Sequence, residues 1–178
     1  MFVCAEWVAI DDIAKAGDSI MYAHILLLTD GSELSKMAIR EGVDLAKALG
    51  ARVSVVTVTT PFHVFSGSLS MLTDTPEQYR KHMAARAAQY LDVAKKIAAA
   101  AGVPCDGVHV EHEQPYQAII ETGQDRGCDA ILMASHGRHG MSAIVLGSET
   151  LKVLTHSIVP VIVYRQPRAS IAQLATAS

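Results

Sequence analysis

Aromatic residues are scarce in this chain of 178 residues: Phe, Trp and Tyr make up 5%, against 50% for apolar residues as a whole. A core drawn from Ala, Val, Ile and Leu suits helices packed over a buried parallel sheet. Positive charge is also in short supply. Lys and Arg number 15 against 18 Asp and Glu, a formal net charge of −3, and the bases are scattered. No basic face is built, so nucleic acid is not an expected partner. Cysteine occurs only at Cys4, Cys105 and Cys128, an odd count at no metal-ligand spacing. That excludes a disulfide framework and a zinc site, and fits reduced thiols in a cytoplasmic protein. No apolar run reaches the roughly 18 residues of a membrane span, so no membrane partner is expected. The opening MFVCAEWVAIDDIAKAGDSI lacks a basic leader and carries Glu6, Asp11 and Asp12, which makes it a poor signal peptide.

What is present is an alternation of short β-rich runs and long helical stretches. His24–Leu28 is a continuous apolar run broken by Thr29-Asp30-Gly31-Ser32. Leu34, Met37, Ala38, Ile39, Val43, Leu45, Ala46 and Leu49 then mark one helical face, with Ser32 as N-cap and Gly50 as the stop. Arg52–Val58, rich in β-branched residues, predicts a second strand, and 59–75 a loop without period. Thr75-Pro76-Glu77 opens a long Ala-rich helix that Gly102 ends. Gly107–His112 predicts a third strand, Pro115–Arg126 a helix, Ala130–Ala134 a strand, Gly147–His156 a helix and Val159–Tyr164 a last strand. The order β-α-β-α-β-α-β-α-β implies parallel strands with right-handed crossovers and helices on both faces. The length fits one domain. Residues 1–20 are expected to be a loosely attached N-terminal extension, 21–165 the domain, and 166–178 a flexible tail.

Two segments place small residues and polar atoms at the carboxyl end of a strand, the edge where doubly wound sheets bind ligands. In the first, Leu28-Thr29-Asp30-Gly31-Ser32, the Asp30 carboxylate either accepts hydrogen bonds from a ribose or adenine or simply starts the next helix. In the second, Ala134-Ser135-His136-Gly137-Arg138-His139-Gly140 leads to Gly147-Ser148-Glu149-Thr150. Glycines there let backbone N–H groups approach phosphate oxygens, and Ser148 can act both as N-cap and as hydroxyl donor. The other reading is an ordinary glycine-rich loop with a capped helix behind it. The G-x-x-x-x-G-K-[ST] and G-x-G-x-x-G phosphate motifs are missing, as is a G-x-S-x-G nucleophile elbow. His136/His139 and His109/His112 are each three apart, but no carboxylate or Cys partners complete a metal site.

TDGSE after the first strand, VTVTTP after the second, and DAILMASHGRHGMSAIVLGSETLKVLTHSIVPVIVYR near the C-terminus resemble the universal stress protein family over about residues 21–165. The resemblance implies a doubly wound α/β fold with a five-stranded parallel sheet in the order 3-2-1-4-5. It also implies ATP or AMP binding through a G-x2-G-x9-G-[ST] pattern and a homodimer paired through the last strand. By that likeness Asp30 meets the ribose or adenine edge, Val58 and Met133 flank the adenine, and Gly137, Gly147 and Ser148 hold the phosphates. His136 lies inside the phosphate motif and serves loop geometry or a hydrogen bond.

Two positions depart from the pattern: Ala134 replaces the first glycine, and Leu28 the proline that often precedes Thr-Asp. At positive φ, alanine costs about 1–2 kcal/mol, a roughly 5- to 30-fold loss of affinity. The expectation is a cytoplasmic stress-response or regulatory protein that binds ATP or AMP, with Mg²⁺ able to arrive on the phosphates. Hydrolysis is expected to be slow or absent, and no catalytic residue is assigned. The alternative is a protein-interaction module of the same fold that binds no nucleotide. The apolar last strand, Val159–Tyr164, would be an exposed edge unless a second copy pairs with it or residues 1–20 or the C-terminal tail cover it.

Overall fold

The computed structural model describes residues 21–62, 75–137 and 146–166. Expectations for residues 1–20, for most of the loop after the second strand, for His139, and for the tail beyond 166 lie outside the described residues. The strands are β1 (His24–Leu28), β2 (Arg52–Thr59), β3 (Cys105–Glu111), β4 (Ala130–Ala134) and β5 (Val161–Tyr164). The helices are α1 (Glu33–Leu49), α2 (Pro76–Ala101), α3 (Pro115–Asp125) and α4 (Ser148–His156).

All five strands are parallel and lie in the order β3-β2-β1-β4-β5. The chain moves from β1 outward to β3, then crosses back to β4 and β5. The order therefore reverses between β1 and β4, and their carboxyl ends splay there. Helices α1 and α2 pack together on one face, α3 and α4 on the other. Between the layers, Ile25, Leu26, Leu27, Val53, Val55, Val56 and Ile131 are at most 1% exposed, which explains the continuous apolar runs in β1 and β2.

Local chemistry sets the helix ends. Ser35 N donates to Ser32 Oγ at 3.1 Å, and Gly50 closes α1 at φ 67°. Thr75 and Gln78 form a reciprocal capping box at α2, with Pro76 in the first turn, and Gly102 closes it at φ 74°.

Three element starts depart from the sequence expectation, while β2, β3 and α3 each end within one residue of it. Strand β3 starts at Cys105 rather than Gly107, because Cys105 and Asp106 continue the register against Val53 and Ser54. Gly107 sits mid-strand because α2 passes close over it: a Cβ there would lie 2.9 Å from Lys95 Cε and 3.3 Å from Leu91 Cδ2. Strand β5 starts at Val161 rather than Val159, since Val159 N bonds Ser157 Oγ in a local turn and Pro160 has no N–H for the ladder. Helix α4 starts at Ser148, with Gly147 as its N-cap and no side-chain capping bond, so Ser148 is not the N-cap expected of it. Leu151 N reaches Gly147 O at 2.9 Å, which places the helix start one residue later than the sequence suggested.

Candidate functional site

At the point where strand order reverses, the carboxyl ends of β1, β2 and β4 open into a cavity of about 620 Å³. That size suits a small-molecule ligand, for which roughly 300–1,000 Å³ is usual. All eight residues singled out from the sequence line it: Asp30, Val58, Met133, Ala134, His136, Gly137, Gly147 and Ser148.

Asp30 follows β1 in a tight turn. Its Oδ1 accepts from Ser32 N at 2.9 Å, while Thr29 Oγ1 accepts from Gly31 N at 3.2 Å. Gly31 is at φ +77°, and Tyr90 of α2 lies so close that a Cβ at Gly31 would meet its ring carbons at 2.3–2.6 Å. Only glycine fits both demands. Asp30 thus starts the helical turn and also faces the cavity, so the two roles weighed for it are compatible. Across the opening, a Cβ on Gly137 would sit 2.8 Å from Asp30 Oδ2. The lack of a side chain at Gly137 is what lets the β4 loop come up against the carboxylate.

The second loop is anchored by backbone bonds. Ser135 N donates to Tyr164 O at 2.8 Å, and Gly147 N donates to Ser135 O at 2.8 Å. Thr150 Oγ1 donates to Ala134 O at 3.2 Å, tying α4 to the end of β4. A Cβ on Gly147 would lie 3.3 Å from His136 Cα and 3.5 Å from Ser135 O, so the loop and the helix start are in tight contact there. Ser148 is exposed in the first turn of α4, where unpaired N–H groups and the helix dipole favour an anion. His136 Nδ1 lies 3.1 Å from Ser135 Oγ, a bond within the loop.

Ala134 is buried and ends β4, paired in register with Tyr164. Among the described residues no non-glycine position has positive φ. The backbone strain considered for an alanine in the first glycine position is therefore absent. Val58, next to last in β2, is half-buried, and Met133 of β4 is buried in the same apolar cluster.

One wall was not anticipated. Tyr79, Met83, Arg86 and Tyr90 of α2 line the cavity opposite Pro115 and Ile119 of α3. Their spacing of four, three and four places them on one helical face, a signal hidden in a stretch dominated by alanines. Tyr79 Oη donates to Thr60 O at 3.2 Å and its ring lies 5.4 Å from that of Phe62. Glu149, also lining the cavity, accepts from Tyr116 N at 2.9 Å and pairs with Lys152 at 2.8 Å, so it caps α3 and ties it to α4.

His109 and His112 are not a pair of ligands. His109 Nε2 bonds Thr59 Oγ1 at 2.8 Å and His112 Nδ1 meets the Gln114 backbone. Among the described residues no group of three or more His, Cys, Asp or Glu could hold a metal ion. No helix there is long and apolar enough to cross a membrane.

A model of the Universal stress protein family matches residues 21–165. Universal stress protein YxiE of Bacillus subtilis is 30% identical over 149 residues, 82% of this chain and all of that protein. The solved structure of MJ0577, a protein of Methanocaldococcus jannaschii, superposes with a TM-score of 0.68 at 25% identity, covering 84% of this chain and 99% of that one. The universal stress protein from Archaeoglobus fulgidus, solved in complex with dAMP, shares the fold at a TM-score of 0.54 and 18% identity, covering 80% and 98%. The chain belongs to the universal stress protein family.

Proposed function

We propose that this chain binds an adenine nucleotide, ATP or AMP, in the cavity at the carboxyl end of the sheet, and that it acts as a cytoplasmic, dimeric regulatory protein of the stress response. The observation that carries this reading is the convergence of Asp30, the Gly137 loop and the first turn of α4 on one cavity. Asp30 offers a carboxylate acceptor for a ribose hydroxyl or the adenine amino group. Val58 and Met133 supply apolar contact for the base. Gly137, Gly147 and Ser148 supply close backbone approach, N–H donors and a hydroxyl for the phosphates. The fold relative solved with dAMP supports the same ligand class.

The residues fit the nucleotide better than they fit a metal of their own. With no cluster of three ligands among the described residues, Mg²⁺ would be held by phosphate oxygens rather than by a protein cage. The nucleotide would then act as a conformational ligand whose hydrolysis is slow or absent.

A second copy is the partner that best fits the β5 edge. β5 ends the sheet, its four residues are only half-buried, and Leu151 (55% exposed) and Ile158 (78%) lie on the neighbouring α4 and turn. Pairing two β5 strands would satisfy the edge and cover this apolar surface. The described thiols are poor nucleophiles: burial pushes the Cys128 pKa up to about 11 and raises that of Cys105 for the same reason.

The test is to denature purified protein and identify any released small molecule, then titrate the protein with ATP and AMP. Retained nucleotide or micromolar binding supports the reading. Absence of both at millimolar nucleotide would contradict it and favour the protein-interaction module. Light scattering of Val161→Lys and Ile162→Lys tests the dimer, and unchanged dimer mass in both would exclude pairing through β5.

A further inference from the structure

The α2 wall of the cavity carries a charge that the motif residues do not account for. Among the described residues lining the cavity, Arg86 is the one Lys or Arg, set against the carboxylates of Asp30 and Glu149. Glu149 is already answered by Lys152. Arg86 is exposed, and among the described residues it makes no ion pair. It is nevertheless oriented, because its Nε donates to Tyr90 Oη at 3.3 Å. Tyr90 in turn is seated against Gly31, in the turn that holds Asp30, where any side chain would collide with its ring. The sequence Gly31–Tyr90–Arg86 therefore fixes a guanidinium edge at the cavity, with its terminal N–H groups taken up by no partner among the described residues. A guanidinium is the side chain best suited to phosphate oxygens, since its forked donors match their geometry.

We propose that Arg86, held by Tyr90, is a specificity-determining residue that reads the phosphate chain from the α2 side, while the first turn of α4 reads it from the other. This rests on the nucleotide reading above and sharpens it: the ligand class becomes a nucleoside polyphosphate in preference to a monophosphate or nucleoside. The additional negative charge of a polyphosphate favours a charged donor beyond the backbone N–H groups of the loop and helix start. Tyr90 and Gly31 are positioning residues in this arrangement and do not themselves contact the phosphate.

Calorimetric titrations with ATP, AMP and adenosine on wild type, Arg86→Ala, Arg86→Lys and Tyr90→Phe test it. Wild type is expected to bind ATP more tightly than AMP, with ATP binding weakening as salt is raised. Arg86→Ala should lose about 10-fold in ATP affinity, the lower end for a charge-assisted hydrogen bond from an exposed donor, with adenosine unchanged. Arg86→Lys should recover part of the loss. Tyr90→Phe should lose less than Arg86→Ala and again spare adenosine. ATP affinity unchanged in Arg86→Ala overturns the proposal while leaving nucleotide binding intact. Equal loss for ATP and adenosine also overturns it, since Arg86 would then merely shape the nucleoside wall. Wild type that binds none of the three ligands removes the nucleotide reading itself, and this inference with it.

Discussion

The two ends of the sheet solve opposite problems. At the carboxyl end, glycines at 31, 137 and 147 keep side chains away and the strand ends part to leave an open cavity. At the amino end, polar side chains from distant segments reach one another and close the sheet. His24 Nε2 lies 2.8 Å from Ser54 Oγ, Ser54 Oγ donates to Asp106, and Asp106 receives Arg126 on its other oxygen. Asp129 accepts from Ala23 N at 2.7 Å and from His24 N at 3.2 Å, pinning the start of β1 to the start of β4. Ser54 is fully buried and His24 is 5% exposed, so this network sits where unsatisfied polar groups are costly. One end is left open, and the other completes itself. Changes at the first should alter binding more than stability, and changes at the second the reverse.

The largest effect expected is at the open end. Gly147→Val puts a branched side chain against His136 Cα and blocks phosphate approach. A lost phosphate bond of about 1.5–3 kcal/mol and the steric block together predict a loss of ATP affinity at or beyond the upper end of about 10- to 150-fold, while overpacking costs about 1–3 kcal/mol of stability. Calorimetry reads this, and cooperative melting should survive, which separates it from unfolding.

Next comes the closed end. Ser54→Ala removes the hydroxyl that joins His24 to Asp106, leaving a buried ring N–H without an acceptor. A cost of about 1–3 kcal/mol is expected, with the melting temperature falling by roughly 2–4 °C per kcal/mol for a domain of this size. ATP affinity should not change. A Ser54→Ala protein that melts like wild type but binds ATP poorly would reverse the comparison.

The same network should make the fold acid-sensitive. Because Ser54 gives its proton to Asp106, His24 donates through Nε2, and its buried Nδ1 has no hydrogen-bond partner. Burial, helped by the Arg52 charge, holds the His24 pKa below its ordinary 6.5, while Asp106, the Arg126 backbone and Asp129 pull the other way. The unfolded chain therefore takes up a proton that the folded chain refuses. His24 contributes no pH penalty above about pH 6.5, and stability is lost as pH falls below that value towards the folded pKa. Asp106 adds a second, lower window. Burial opposes its ionisation, but the Ser54 bond and Arg126 outweigh this and hold its pKa below 3.8, so its contribution disappears only as pH falls below that value. Denaturant midpoints from pH 7.5 to 5 should fall for wild type and flatten in His24→Gln. Parallel curves would show that His24 is not the group responsible.

The smallest effect expected is at Ala134. With no positive φ to relieve, Ala134→Gly should leave ATP affinity within about 2-fold and cost about 0.5–1 kcal/mol of stability as a strand glycine. A clear gain in affinity would mean that the methyl group obstructs the ligand.

Much of the open end was legible in the sequence because its signals are local. Thr29-Asp30-Gly31-Ser32 and Gly147-Ser148 announce turns and helix starts within a few residues, and the strand runs fix where they fall. The α2 wall was harder to see, since Tyr79, Met83, Arg86 and Tyr90 are diluted among alanines and gain meaning only once the helix is placed over Gly31. The closed end was not legible. His24, Ser54, Asp106 and Arg126 come from four separate segments, and only the parallel register brings Ser54 opposite Asp106. Cys105 and Asp106 also fell outside the strand expected from Gly107, which hid the start of β3 behind the polar contacts it makes.

Titration of wild type, Asp30→Ala and Ser148→Ala with ATP and with adenosine tests the central claim most directly. Asp30 lines the cavity and is proposed to meet the nucleoside, so Asp30→Ala should weaken both ligands. Ser148 lies in the first turn of α4, so Ser148→Ala should weaken ATP by about 10- to 150-fold, the worth of one charge-assisted hydrogen bond, and leave adenosine unchanged. Wild-type protein that binds neither ligand at millimolar concentration, or a Ser148→Ala protein that loses both equally, would contradict the account.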